Sequence, residues 1–232
     1  PRNNNSTPHT GDEEHSNPVI SGSFLSGIGL IGLVDLEPVI LAALATEEPL
    51  LLIGPHGTGK SLLLTQIAEA LGLAFRHYNS SLLNFDDLVG FPLPDKKGSL
   101  EYVKTPASIW GAEAVIFDEI SRCRPDIQNK LFPIIHERRA QGILLDCLRY
   151  RWAAMNPPLT EDEDGGYIGS EPLDPALADR FAFIVNMPSW DRYSEKEQLA
   201  IILSDDITVA DDAANNFRCM VSSARAALPA IK

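Results

Sequence analysis

Eight consecutive residues, Gly54-Pro55-His56-Gly57-Thr58-Gly59-Lys60-Ser61, follow the pattern G-x-x-x-x-G-K-[ST]. The glycines let the backbone curl so that successive N–H groups face one anion, and a helix starting at the lysine adds its N-terminal partial charge. Lys60 is then placed to reach the outer phosphates of a nucleotide, and the Ser61 hydroxyl to ligate a divalent cation. A second run, Ala114-Val115-Ile116-Phe117-Asp118-Glu119, is apolar and ends in two carboxylates. Asp118 suits Mg²⁺, held through water, and Glu119 suits the orientation and polarisation of an attacking water. The two patterns together predict binding and hydrolysis of a nucleoside triphosphate. The binding loop comprises Gly54, Pro55, His56, Gly57, Thr58, Gly59, Lys60, Ser61 and Leu62, with Ser61 and Asp118 as metal ligands.

Such residues work only if strands and helices hold them at one edge. Leu50–Ile53 reads as a short all-apolar strand, and Leu73–Tyr78, Ala114–Phe117, Tyr150–Met155 and Phe181–Asn186 read as four more strands. Between them lie amphipathic helix patterns at Lys60–Leu71 and from Pro125 to Arg139, after a shorter one at Asp35–Thr46. Buried strands alternating with helices predict an α/β fold with a five-stranded parallel sheet covered on both faces. Open sheets of this kind bind ligands beyond the carboxyl ends of their strands, where both motifs fall. Residues 1–20, polar and aperiodic, read as a flexible tail, 21–188 as the α/β core, and 189–232 as further helices at 191–203 and 209–228. The helices are expected to lie outside the sheet and to begin a second helical unit that the chain end cuts short.

The chain has 232 residues, 44% of them apolar and 22% charged, which is ample for a core and argues against wholesale disorder. Its net charge of −13 is unevenly spread: −6 over residues 1–48, +1 over 49–155 and −8 over 156–232. An acidic chain repels a phosphate backbone, so broad nucleic-acid binding is disfavoured. Three dispersed cysteines, Cys123, Cys147 and Cys219, fit neither a disulfide framework nor a zinc site and point to a reducing, cytoplasmic compartment. The most apolar stretch, Phe24–Ala45, is broken by Asp35 and Glu37, so no membrane span is expected.

With these motifs in order, the sequence resembles the AAA+ ATPases, and within them the MoxR-like branch, from about Gly27 to Ile202. Beside the two motifs, the resemblance rests on Phe117–Arg122, Ile135–Arg139, Met155-Asn156-Pro157 and Leu173–Phe181. It implies a P-loop NTPase core followed by a helical lid, with ATP and Mg²⁺ as cofactors. It further implies Asn156 as a polar sensor beside the γ-phosphate, and Arg180 as an arginine finger serving the nucleotide of a neighbouring subunit. Lys60, Glu119, Asn156 and Arg180 are then the catalytic set. A finger acting in trans requires a closed ring, by resemblance a hexamer, that remodels a protein partner or adaptor, in such systems often one with a von Willebrand A domain. The segment Asn84–Thr105 looks like the branch's helix-2 insert, a hairpin facing the pore or a partner, with a plain surface loop as the alternative. A sensor-2 arginine is expected beyond the chain end, with Arg225 an ordinary helix-surface residue and His56 of little consequence. Arg122 could serve a subunit interface or pair locally.

Two other functional readings stay open. One is a nucleic-acid motor or GTP-driven restriction-type subunit on the same scaffold, kept alive by Lys96, Lys97 and Lys104; the other is a nucleotide-gated assembly module. Thr160–Glu171 imitates a calcium loop but lacks an acid at its first position and reads as a solvated acidic loop. Trp110, Trp152 and Trp190 read as packing residues. Because the core is near neutral while both flanks are acidic, self-assembly should tighten as added salt screens the flanks. Sedimentation at rising ionic strength tests this; assembly that loosens with salt would refute it.

Overall fold

The structure, a computed structural model, describes residues 23–94, 96, 98, 100–158, 173–204 and 209–231. In chain order these form α1 (Phe24–Gly27), α2 (Glu37–Thr46), β1 (Leu50–Ile53), α3 (Lys60–Leu71), β2 (Phe75–Asn79) and α4 (Phe85–Val89). There follow β3 (Phe91–Pro94), β4 (Leu100–Val103), β5 (Ala114–Asp118), α5 (Pro125–Glu137), β6 (Arg139–Ala140), β7 (Ile143–Leu144) and β8 (Tyr150–Met155). The chain closes with α6 (Pro175–Ala178), β9 (Phe183–Asn186), α7 (Glu195–Leu203) and α8 (Asp211–Ala227). The expected tail and the acidic Thr160–Glu171 segment lie outside the described residues.

Five strands pair in parallel in the order β2-β5-β8-β1-β9, as the alternation of strands and helices predicted. Successive side chains point to opposite faces, and each face carries its own core. Leu51, Val115, Phe117, Ala153 and Met155 pack with α4, α5 and α6 on one side. Leu50, Leu52, Ala114, Ile116, Trp152 and Ala154 pack with α1, α2, α3 and α8 on the other. Burial on both faces explains why the interior strands β1 and β5 read as apolar runs, whereas the edge strand β2 carries Arg76 and His77.

Strand starts differ from the sequence reading for local reasons. Gly72 ends α3 at φ +69°, and Leu73 N donates back to Ala68 O at 3.0 Å, so β2 begins only at Phe75. Arg180 N and Phe181 N donate to Leu177 O and Ala178 O, which holds Phe181 in the turn after α6 and delays β9 to Phe183. The hairpin expected within Asn84–Thr105 is present as the antiparallel pair β3–β4, with Phe91 opposite Val103. Gly90 opens it at φ +84°, where a Cβ would lie 2.2 Å from Val103 O. All three cysteines are free, and burial, aided by Asp126, pushes the Cys123 thiol up to about 11.

The C-terminal helices stay out of the sheet, but α8 is no separate unit. Phe217 and Val221 are buried in the second core, and Phe217 stacks on Phe24 at 5.3 Å. Arg225 is correspondingly more than a surface residue. Its guanidinium donates to Leu44 O, Ala45 O and Tyr150 Oη and pairs with Glu47 at 3.0 Å. Glu47, which ends α2 in the left-handed conformation, also receives Arg149 at 2.9 Å, while its carbonyl accepts Arg151 at 2.6 Å. Arg151 is almost wholly buried, and desolvation, with Arg138 nearby, lowers its pKa to about 10. This brace lies at the amino ends of β1 and β8. Replacing Glu47 by Ala should cost about 2–3 kcal/mol, because two partly buried guanidinium groups lose their carboxylate. Urea unfolding measures this; an unchanged midpoint would show the brace to be idle.

Candidate active site

The site is built at the opposite, carboxyl edge of the sheet. After β1 the chain turns through the glycine-rich loop into α3, with Gly57 at φ +76° and Gly59 at φ +77°, backbone that side chains with a Cβ rarely adopt. Gly54 is required for a different reason: a Cβ there would come within 2.7 Å of Met187 Cβ. Thr58 Oγ1 closes the turn by donating to Pro55 O at 2.9 Å. The first turn of α3 gives the N–H groups of Lys60, Ser61 and Leu62 no acceptor within the helix, which leaves them for an incoming anion.

Lys60 is 8% exposed, and its ammonium donates to Gly54 O at 2.7 Å, Pro55 O at 2.8 Å and Asn156 Oδ1 at 3.1 Å. Burial lowers its pKa from the usual lysine value, opposed by the charges of Asp118 and Glu119. Ser61 Oγ donates to Asp118 Oδ2 at 2.5 Å, and His77 Nε2 lies 3.4 Å from the same oxygen. Burial alone would raise the Asp118 carboxyl. Hydrogen bonds from His77, Ser61 and the Glu119 N–H outweigh it and hold the group below the usual carboxylate range. Glu119 sits at φ +52°, in the left-handed region, and Arg122 approaches its carboxylate at 3.4 Å. The local pairing considered for Arg122 is therefore present.

Lys60, Ser61, Asp118, Glu119 and Asn156 line one polar cavity of about 340 Å³, together with His56, Gly57, Gly59, Leu62, Asn79 and Met155. Asn156 follows β8, whose pairing of Met155 with Ile53 of β1 brings it beside the loop. No group of three or more His, Cys, Asp or Glu is arranged to hold a metal among the described residues. A Mg²⁺ would thus rest on Ser61, Asp118 and substrate oxygens, a donor set of hard oxygens that fits this ion. Arg180 is not in the cavity. Its guanidinium lies over the Phe132 ring at 5.9 Å, half-exposed.

Sequence reasoning missed the other half of the site. A second, mostly apolar cavity of about 270 Å³ shares His56, Gly57, Gly59 and Leu62 with the first, and is closed by Leu30, Leu33, Trp190, Tyr193 and Ile201. Its apolar walls and position beside the phosphate loop suit a purine base. Trp190 is accordingly a pocket wall, 47% exposed, while Trp152 is core and Trp110 packs at the core's edge. Asn79, at the carboxyl end of β2 opposite Asp118, could have been found as a polar residue ending an apolar-flanked strand.

Known proteins bear on this geometry. YeaC, an uncharacterised protein of Bacillus subtilis, is 28% identical over 160 residues, 68% of this chain and 48% of that protein. The aerobic cobaltochelatase subunit CobS of Sinorhizobium sp is 28% identical over 162 residues, 64% of this chain and 48% of that one. The chain thus spans about half the length of these curated relatives. Among solved structures, a provisionally assigned ATPase of Cytophaga hutchinsonii superposes with a TM-score of 0.57 at 23% identity, over 84% of this chain and 61% of that one. NtrX from Brucella abortus in complex with ADP gives 0.50 at 17%, over 71% and 38%. These likenesses show the fold. Among the described residues no helix is long and apolar enough to cross a membrane. A family model matches residues 49–181, from β1 through both motifs to the residue after Arg180, and the chain belongs to that family, the AAA domain of the dynein-related subfamily.

Proposed function

We propose that this AAA module binds and hydrolyses ATP with Mg²⁺ and works in a MoxR-like ring, by resemblance a hexamer, to remodel, mature or activate a protein partner. The observation that carries the reading is the convergence of Lys60, Ser61, Asp118, Glu119 and Asn156 on one cavity beside an apolar pocket fit for a base. Lys60 exchanges its carbonyl acceptors for phosphate oxygens. Ser61 and Asp118 hold the cation, which supplies charge neutralisation to the transferring phosphoryl group. Glu119 orients the attacking water, and Asn156 fixes the outer phosphate.

Arg180 lies outside its own subunit's cavity, which supports a role at a neighbour's nucleotide and hence a closed ring. The segment 190–204 fits the beginning of a lid, and the β3–β4 hairpin, with Phe91 and Leu93 half-exposed, fits a partner-engaging insert. A partner of protein type is favoured over nucleic acid because Lys104 is engaged over the Trp110 ring at 5.6 Å and the chain is strongly acidic. The name of CobS, a subunit of a larger enzyme, is in keeping with a module that acts on another chain, including one with a von Willebrand A domain.

Lys60→Ala should abolish nucleotide binding, whereas Glu119→Gln should bind ATP and lower turnover by at least about a hundredfold. A pull-down with the Glu119→Gln form and ATP should then retain the partner. Hydrolysis at the wild-type rate by the Glu119→Gln form would overturn the assignment of the base. For the trans finger, Glu119→Gln and Arg180→Ala subunits, each inactive alone, should regain ATPase activity when mixed. Absence of recovery at every ratio would count against a shared site.

A further inference from the structure

His56, expected to be of little consequence, occupies a defined place. Its Nε2 lies 3.2 Å from Asn156 Nδ2, while Asn156 Oδ1, at the other end of the same amide, lies 3.1 Å from the Lys60 ammonium. An ammonium has protons and no lone pair, so it can meet only the oxygen of that amide. The opposite orientation would set an NH₂ against NH₃⁺ at a side chain that is 4% exposed, two donors facing one another. Lys60 therefore fixes which way Asn156 points. Asn156, in turn, presents a donor to His56, and His56 Nε2 can only accept. In this pairing the imidazole carries its proton on Nδ1.

We propose that His56 is a positioning residue for hydrolysis, holding the Asn156 amide in register at the moment Lys60 is drawn away. The inference rests on the ATPase reading. When phosphate oxygens take the ammonium, the Oδ1 end of the amide loses the partner that set its orientation. The Nδ2 end keeps its own, because His56 belongs to the phosphate loop and stays where the loop is. Asn156 then meets the outer phosphate with its amide already oriented, and the site avoids reorganising during the reaction. His56 lines both cavities and is largely exposed, so filling a core does not account for its ring.

Two measurements decide the matter, one of them independent of activity. Long-range ¹H–¹⁵N correlation spectra of the nucleotide-free wild type, above the pH range in which imidazole titrates, should show His56 as the Nδ1–H tautomer. Asn156→Ala should return it towards the Nε2–H form favoured in water. An Nε2–H tautomer in the wild type would overturn the proposal whether or not the protein hydrolyses ATP. In steady-state kinetics, His56→Leu should lower kcat about tenfold and leave the KM for ATP within about twofold. His56→Gln, which keeps an acceptor at similar reach, should recover most of the rate. In an Asn156→Ala background, His56→Leu should have no further effect. An undiminished effect in that background, or a loss carried by KM, would assign His56 to nucleotide binding instead. A wild type with no ATPase activity would sink the functional reading alone, with the tautomer still deciding the role of His56.

Discussion

A buried ammonium governs this site. Taking a lysine out of water costs several kcal/mol unless its protons find acceptors. Lys60 finds three: two carbonyls of the loop that precedes it, and the amide of a residue 96 positions away. The first two require Gly57 and Gly59 to take positive φ, so that the loop folds back over its own lysine. The third requires β8 beside β1 in parallel register, since only then does the residue after Met155 meet the loop after Ile53. Strand order, loop composition and the start of α3 are thus all conditions for one charge to be tolerated. The same three acceptors are weak competitors for a polyphosphate, which is why a satisfied lysine can still be a receptive one.

Much of this was legible in the sequence because it is local. The phosphate loop, the apolar strand ending in Asp118 and Glu119, and the amphipathic pattern of α3 each depend on neighbours within about a dozen residues. What was not legible depends on contacts between distant segments. The apolar cavity joins Leu30 and Leu33 to Trp190, Tyr193 and Ile201, across the whole α/β core, and no spacing announces it. Trp190 read as packing because a tryptophan's composition signal is the same in a core and in a pocket wall. His56 was discounted as a variable loop position, yet its partner Asn156 lies 100 residues on. Arg225 had the same fate: its acceptors on α2 lie 180 and 181 residues back.

The two edges of the sheet use charge in opposite ways. At the amino edge, Glu47 gathers Arg149 and Arg225 on its carboxylate and Arg151 on its carbonyl. Charges there are satisfied by one another, and the result fastens α8 to the back of the core. At the carboxyl edge, donors are gathered with fewer fixed acceptors: the open N–H groups of α3, the ammonium, and the Asn156 amide. That asymmetry marks one edge as structure and the other as a place for an anion. It also resolves the net charge of −13. The phosphate loop and the Asp118-Glu119 pair belong to the segment that is close to neutral, while the acidic excess sits in flanking sequence.

The placement of α7 and α8 then bears on how occupancy of the site could be transmitted. α8 carries Phe217 and Val221 into the core and is tied down by Arg218 on Ala70 O and by Arg225 on the α2 carbonyls. It is fastened to the core. Trp190, Tyr193 and, on α7, Ile201 instead line the cavity proposed for the base, and Leu199, Ile202 and Leu203 of α7 are more than half exposed. On the proposed reading, a nucleotide touches this segment directly and leaves α8 alone. On that reading the segment 190–204 has one side on the cavity and an outer apolar side that is exposed. A lid that moved as one block with α8 would have to break the contacts of Arg225 with Glu47 and the α2 carbonyls.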